Sequence, residues 1–277
     1  MSRIAFLSLL SLVACFGETE EAPAPPPAAA QAQAEAAAPA PAADAQAAER
    51  ALAPSPLDLA KGVKGAGLNT ALATLVPDRS FEMEAGSTDM AAVRTGVVIA
   101  DAILGGEDAD KALFLRRLQQ ARAGMVRLGM KEGQGVLNEV DGFIAAVEND
   151  TASRADFIAS LDAIIQTKVP EESWAPGDTT GPLLQAGAWL AGTNLVAKSI
   201  VAEDNAAAAG ALLREEAVVD YFIQYVRAEG SDKAPDAIVE ELTRTLGVLK
   251  EVAGKPTLGV ADAQAVADAT DKLLGQL

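Results

Sequence analysis

Residues 91–104 read AAVRTGVVIADAIL, and their side chains are apolar on almost every side of a helix. A helix of this kind has to be covered by neighbours, so the segment is predicted to lie at the centre of a helical bundle. Around it, from residue 57 to residue 277, apolar residues recur at helical spacing and no run alternates with period two. The sequence therefore predicts an all-α domain.

Capping residues and glycines divide this domain into nine predicted helices. Serine, threonine, aspartate or proline stands at most of the starts, and glycine follows several of the ends. The predicted helices cover about 56–75, 88–105, 108–128, 131–148, 151–167, 182–202, 204–229, 235–253 and 260–275. A predicted loop at 170–180 joins the fifth helix to the sixth.

A second apolar stretch resembles the first. TGVVIA at 95–100 and AGAWLA at 186–191 each open a long helix, and LDAII at 161–165 resembles TDKLL at 270–274. One interpretation is a divergent duplication, with two similar four-helix halves at about 87–168 and 181–277. The other is that any two amphipathic helices share this pattern.

The amino terminus has the organisation of a secretory signal peptide. Arg3 precedes a short apolar run, and the run closes on Leu12-Val13-Ala14-Cys15, which contains the only cysteine. These four residues resemble the lipobox of bacterial lipoproteins. The resemblance implies cleavage after residue 14, acylation of Cys15 and attachment to a membrane through lipid. The alternative is cleavage at another site and a protein without an anchor.

The lipoprotein resemblance also implies a location. Phe16 follows the cysteine where an aspartate would favour retention at the inner membrane, so the family's sorting habit implies the outer membrane, facing the periplasm. Residues 15–56 are rich in alanine and proline and are expected to form a disordered linker, because they supply little apolar surface to bury. The folded domain is expected at 57–277.

Composition excludes several classes of function. The chain has 39 acidic and 22 basic residues, a net charge of −17, which opposes binding to nucleic acid. It has no histidine, which rules out serine–histidine catalysis and histidine metal sites. With one cysteine, no disulfide framework can form. We therefore expect no enzymatic activity, no cofactor and no metal.

Two charged residues interrupt the central apolar segment. Arg94 and Asp101 lie seven residues apart, which is two helical turns, and Asp101 stands between two alanines. An unpaired carboxylate at this position would be costly to bury. One interpretation is a buried ion pair with an arginine of the 108–128 helix. The other is the polar floor of a ligand pocket.

Aromatic residues are scarce and several stand near the second apolar stretch. Trp189 and Asn194 lie on the 182–202 helix, Tyr221 and Tyr225 on the following helix, and Trp174 in the 170–180 loop. Aromatic side chains at helical spacing are typical of a core. The alternative is a pocket for a small ligand or a surface for an envelope protein partner.

Basic side chains form a stripe on the 108–128 helix. Arg116, Gln120, Arg127 and Lys131 follow one side of this helix in an otherwise acidic protein. Arg117 and Arg122 lie nearby. The stripe is a candidate site for a carboxylate or phosphate. Pairing with nearby acids such as Glu132 and Glu139, or simple solvation, is the alternative.

Two short motifs resemble uncharacterised helical lipoproteins of the bacterial envelope. They are Gly96-Val97-x-x-Ala100-Asp101 and Gly187-Ala188-Trp189-Leu190, and the resemblance implies no activity. The sequence predicts a lipid-anchored accessory, scaffold or binding module of unknown specificity. The alternative is a periplasmic sensor or carrier with a ligand pocket between the halves. A closed, dry contact between the two apolar helices favours the scaffold, and a polar cavity there favours the carrier.

Overall fold

The computed structural model describes residues 53–133, 135–151, 153–169, 180–229 and 234–277. Cys15, the signal peptide, nearly all of the predicted linker and the loop with Trp174 lie outside the described residues. The described residues contain helices and connecting segments but no strand, so the prediction of an all-α fold is confirmed.

Eleven α-helices span the described part of the chain. A π-helical turn, Ile164–Lys168, follows the sixth. In chain order the α-helices are α1 (Pro56–Gly65), α2 (Leu72–Leu75), α3 (Thr88–Gly105), α4 (Lys111–Arg127), α5 (Gly135–Glu148), α6 (Arg154–Ala163), α7 (Thr180–Ala202), α8 (Ala206–Leu212), α9 (Glu216–Glu229), α10 (Asp236–Ala253) and α11 (Val260–Leu274).

Side-chain caps fix several of the predicted helix starts. Ser87, Asp110 and Ser153 each accept a hydrogen bond from the backbone N–H three residues later, at the starts of α3, α4 and α6. Such caps satisfy backbone donors that have no partner inside the helix. Gly129 follows α4 with φ of 87°, the left-handed conformation expected of a glycine there.

Two predicted helices are each divided in the structure. The segment predicted at 56–75 forms α1 and α2, because Gly67 adopts φ of 77° and the N–H of Leu68 bonds the carbonyl of Val63. The segment predicted at 204–229 forms α8 and α9, with Leu213, Arg214 and Glu215 between them. A helical apolar pattern continues across both breaks, so periodicity alone did not show them.

The two apolar stretches cross at the centre of the fold. α3 and α7 form the most extensive helix pair, and nearly every residue of both is buried. A Cβ placed on Gly96 would lie closer than 3.0 Å to the carbonyl oxygen of Leu184, three residues before Gly187. A Cβ on Gly187 would lie equally close to the carbonyl oxygen of Val93, three residues before Gly96. The contact between the two helices is therefore reciprocal and closed.

The flanking helices differ in arrangement on the two sides of this crossing. α3 packs chiefly on α4, the next long helix, and α4 packs on α5. α7 packs chiefly on α11, the last helix, while α9 packs on α10 and α10 on α11. Similarity of the halves is thus evident at the crossing and not in the packing around it, and the duplication stays a prediction.

Candidate functional site

Asp101 belongs to a buried ion pair. Its side chain is almost fully buried, and its Oδ2 lies 2.8 Å from Nε of Arg79. Arg117 of α4 instead donates a hydrogen bond from Nη1 to the backbone carbonyl of Asp101, at 3.0 Å. The prediction that an arginine of the 108–128 helix pairs with the Asp101 carboxylate is therefore wrong. Arg79 takes this place because the segment before α3 lies over the groove between α3 and α4.

Burial dominates the protonation of this carboxyl group. Desolvation raises the pKa of Asp101 to about 6, while the positive charges of Arg79, Arg117 and Lys198 act in the opposite direction. The group remains ionised at neutral pH. Its surroundings are those of a structural ion pair, and Asp101 does not line the pocket described below.

Arg94 does not join Asp101 in a common site. Its Nη1 donates to the carbonyl oxygens of Glu82 and Ala85, and its Nε donates to the carbonyl oxygen of Leu277. Desolvation lowers the pKa of Arg94. The side chain of Arg94 thus links the start of α3 to the segment before it and to Leu277, which follows α11.

Asn194 fastens α7 to α11. Its Nδ2 lies 3.2 Å from the carbonyl oxygen of Ala267, 2.9 Å from Oγ1 of Thr270 and 3.0 Å from Oδ1 of Asp271. Lys198, one turn further along α7, lies 2.7 Å from the same Asp271 oxygen. The side chain is fully buried, so these bonds have the role of positioning the two helices.

The aromatic residues form a cluster, with one member that sequence reasoning missed. Trp189 is 1% exposed, and its ring stacks on Phe222 with centroids 5.3 Å apart. Tyr221 meets Phe222 edge-on at 5.2 Å. Tyr225 lies one turn further along α9. Phe222 adjoins Tyr221 in the sequence and shares a helix face with Tyr225, and this spacing was the signal available for finding it.

Three of the four residues of the basic stripe of α4 contact another segment of the chain. Residues 76–87, called here the 76–87 segment, run along this helix, where Asp78 pairs with Arg116 and Gln120 donates a hydrogen bond to the Ser80 hydroxyl. Glu84 lies 3.7 Å from Arg127. These three residues therefore bind the protein's own acidic and polar side chains, while Lys131 is exposed.

Of the two acids expected to pair with the basic residues of this helix, Glu132 does so and Glu139 does not. Glu132 lies 3.2 Å from Arg122, which also pairs with Asp141. Glu139, expected to face the stripe, pairs with Lys168 in the π-helical turn. That expectation for Glu139 is wrong, because its side of α5 faces the end of α6.

An apolar pocket lies beside Trp189 and is lined by α7, α9, α10, α11 and the start of α3. It is called here the Trp189 pocket, and its volume is about 80 Å³. None of its lining residues is exposed, and most are aliphatic or aromatic. They include Met90, Val93, Leu183, Ala186, Trp189, Leu190, Phe222, Tyr225, Ile238, Leu242, Leu246 and Leu273.

The position of this pocket agrees with the prediction in part, because residues of both predicted halves line it but Asp101 does not. A pocket between the halves near Trp189 and Asp101 was expected, but the α3–α7 contact is closed there. The cavity instead opens on the side of α7 that faces α9 and α10, and it includes Tyr225 but not Arg94, Asn194 or Tyr221. Asp89, in the first turn of α3, is the one acid among its lining residues.

Two other cavities are larger but have a different character. One, of about 310 Å³, lies between α1, α2 and the end of α3, and its lining includes exposed residues such as Lys64 and Glu107. The other, of about 430 Å³, is a groove between α9 and α10 with exposed Arg227 and Lys250. Both have polar side chains at the surface, whereas the lining of the Trp189 pocket is almost entirely apolar.

Neither a metal site nor a membrane-spanning helix is found in the part of the chain that the structure describes. No three acidic or cysteine side chains there come together as metal ligands would. None of its helices has both the length and the apolar character needed to cross a bilayer.

Comparisons with known proteins assign no family. No family model matches the chain, and no curated protein or solved structure matches it significantly.

Proposed function

We propose that this protein is a lipid-anchored, non-enzymatic binding module whose helical domain takes up a small apolar ligand in the Trp189 pocket. The observation that supports the proposal is the pocket itself, an apolar cavity lined by Trp189, Phe222 and aliphatic side chains. Ligand sites are typically concave, mostly apolar and preformed, with few polar groups.

The size of the pocket limits the ligand. Its volume of about 80 Å³ is roughly half that of an engineered 150 Å³ cavity that binds benzene. A short chain or part of a ring would fill it, and the rest of a larger molecule would extend through the opening. Each 100 Å² of apolar ligand surface removed from water would contribute about 2.5 kcal/mol before the costs of association.

The proposed anchor explains why such a module would carry a long amino-terminal segment. A lipidated Cys15 holds the chain at a membrane, and an alanine- and proline-rich linker gives the domain reach. The net charge of −17 keeps a crowded, tethered domain from associating with anionic lipid headgroups. A lipid anchor combined with an apolar pocket suits a carrier or sensor at the bacterial cell envelope.

A scaffold that binds an envelope protein is the second candidate. The closed α3–α7 crossing and the buried pair of Asp101 with Arg79 favour it, because both make a rigid core without a central cavity. A scaffold needs no ligand, so the behaviour of the Trp189 pocket separates the two candidates.

Thermal unfolding with ethylbenzene tests ligand uptake. Ethylbenzene should raise the melting temperature of the wild-type domain by a few degrees, since a ligand at tenfold excess over its Kd stabilises by about 1.4 kcal/mol. Ala186→Phe, which fills the pocket, should abolish this rise. Ala217→Phe is the matched control, because Ala217 is exposed on α9. An equal rise in melting temperature in wild type, Ala186→Phe and Ala217→Phe, or no rise in any of them, would support the scaffold.

A further inference from the structure

The cavity between α1, α2 and the end of α3 has an apolar floor and the size of a ligand site. It is called here the α1–α3 cavity, and its volume is about 310 Å³. Sites for small ligands typically begin near this size and are lined mainly by apolar side chains. Buried residues form the floor, and they include Val63, Leu68, Leu72, Ile103, Leu104 and Ile158.

Two carboxylates outside the cavity fix its walls through backbone hydrogen bonds. Glu203, just after α7, accepts from the N–H groups of Asn69 and Thr70 in the loop between α1 and α2. Asp162 accepts from the N–H of Leu57 at the start of α1, at 3.2 Å. Asn69, Thr70 and Leu57 all line the cavity. The site is therefore preformed, and a ligand does not have to order its walls.

Charged side chains of both signs line this cavity without pairing. Lys64 comes from α1, and Glu107 and Asp108 come from the turn after α3. All three are exposed, and none forms an ion pair with any residue that the structure describes. The Lys64 ammonium group therefore lies more than 4.0 Å from both carboxylates. By contrast, Lys61 on the same helix pairs with Asp58.

Simple solvation of these three charges is the competing explanation, since exposed charges often have no partner. The nearest arginine does not remove the two acids from consideration. Arg154 donates to the backbone carbonyl oxygens of Gly106 and Glu107, at 3.2 and 3.4 Å, and forms no ion pair with either acid. Solvated charges would be indifferent to a ligand, so binding measurements separate the two explanations.

We infer that the α1–α3 cavity binds a small zwitterion with an apolar side chain, such as a free aliphatic α-amino acid. The ligand's ammonium group lies at Glu107 and Asp108, its carboxylate at Lys64 and its side chain on the apolar floor. The gap between the unpaired charges leaves room for a molecule that bridges them through charge-assisted hydrogen bonds. This site goes beyond the proposed function, because it shares no lining residue with the Trp189 pocket.

Isothermal titration of the full-length protein at pH 7 with four compounds tests the inference. L-leucine has all three recognised groups, leucinamide lacks the carboxylate, 4-methylpentanoate lacks the ammonium group and glycine lacks the apolar side chain. L-leucine should bind about tenfold more tightly than each of the other three, because each of them leaves one part of the site without its partner.

Charge-removing variants assign each contact. Lys64→Met should make leucine and leucinamide bind equally, because the ligand carboxylate loses its partner. Glu107→Gln combined with Asp108→Asn should make leucine and 4-methylpentanoate bind equally. Lys61→Met is the matched control, since Lys61 is exposed on the same helix but does not line the cavity. This control should bind leucine as the wild type does.

The methyl resonances of Ile103 and Ile158, on the floor of the cavity, should shift when leucine binds. If leucinamide or 4-methylpentanoate binds as tightly as leucine, the zwitterion is wrong. If glycine does so, the role of the apolar floor is wrong. No binding of leucine at its solubility limit, or shifts confined to distant methyl groups such as those of Val140, overturns the site in favour of solvated charges.

Discussion

Gly96 and Gly187 face each other's helices in a reciprocal contact. Gly96 approaches the carbonyl oxygen of Leu184, three residues before Gly187. Gly187 approaches the carbonyl oxygen of Val93, three residues before Gly96, so each helix makes the same contact with the other. Reciprocal contacts of this kind arise at two-fold axes. The absence of a Cβ at both positions lets the two helix backbones touch, which places Trp189 on the far side of α7, toward α9.

Alanine at either glycine should separate the central helices. In Gly96→Ala or Gly187→Ala the new methyl group meets a backbone carbonyl, which cannot rotate away, so we expect a loss of about 3 kcal/mol in the free energy of unfolding. Gly247→Ala is the control. Gly247 is an exposed glycine inside α10 with open space around it, and alanine there should stabilise by about 0.5–1 kcal/mol. Urea titrations would measure all three, and equal effects at all three would contradict this account of the crossing.

The sequence anticipated the centre of the fold better than its edges. Residues 91–104 and 186–191 identify α3 and α7 because a helix that is apolar all round can only be buried. The breaks at Gly67 and at Leu213–Glu215 were missed, since apolar periodicity passes through them and tertiary packing decides where the helix ends.

The site was anticipated only in part, and for a physical reason. Trp189 and Tyr225 were identified as rare aromatic residues. Arg79 was not, because it lies in an irregular segment whose path cannot be read from helical spacing. The facing wall of the pocket, with Ile238 and Leu242, belongs to an ordinary amphipathic helix, and only the packing of α10 shows that it faces Trp189.

Removing the buried carboxylate should destabilise the domain. Asp101→Ala leaves Arg79 without its partner and should cost about 3 kcal/mol in chemical denaturation at pH 7. The exposed Glu240→Ala should change stability by less than about 0.5 kcal/mol. The double variant Asp101→Ala/Arg79→Ala should recover part of the lost stability, because it leaves no partly buried arginine without its partner. An Asp101→Ala domain as stable as wild type would show that the pair has no structural role.

The same carboxyl group should make stability depend on pH. Because burial raises its pKa from 3.8 to about 6, the folded state holds this proton more tightly than the unfolded state between those values. The stability contributed by Asp101 is therefore greatest below pH 4 and is lost as pH rises through 6, by about 3 kcal/mol at most.

Asp101→Asn isolates this dependence from that of the other acids. The difference in unfolding free energy, wild type minus Asp101→Asn, should fall between pH 4 and pH 6 and stay constant above pH 7. A difference that increases with pH over this range would show that the attraction of Arg79 outweighs burial.

The proposed lipid anchor has its own test in cells. Cys15→Ser should abolish labelling with a radioactive fatty acid and move the protein from the membrane fraction to the soluble fraction, because the acyl chains would be its only attachment. Ser11→Ala, within the same apolar run, is the control and should leave labelling intact. Membrane fractionation of Cys15→Ser identical to that of wild type would contradict the anchor.

Intermolecular nuclear Overhauser effects between ethylbenzene and methyl-labelled protein test the central claim most directly. The Trp189 pocket predicts contacts from the ligand to the methyl groups of Val93, Leu190 and Ile238, which lie on three different helices around it. These contacts should vanish in Ala186→Phe. Contacts to core methyl groups elsewhere, such as those of Leu137 in α5, or no contacts in a saturated solution, would contradict the claim that this pocket binds an apolar ligand.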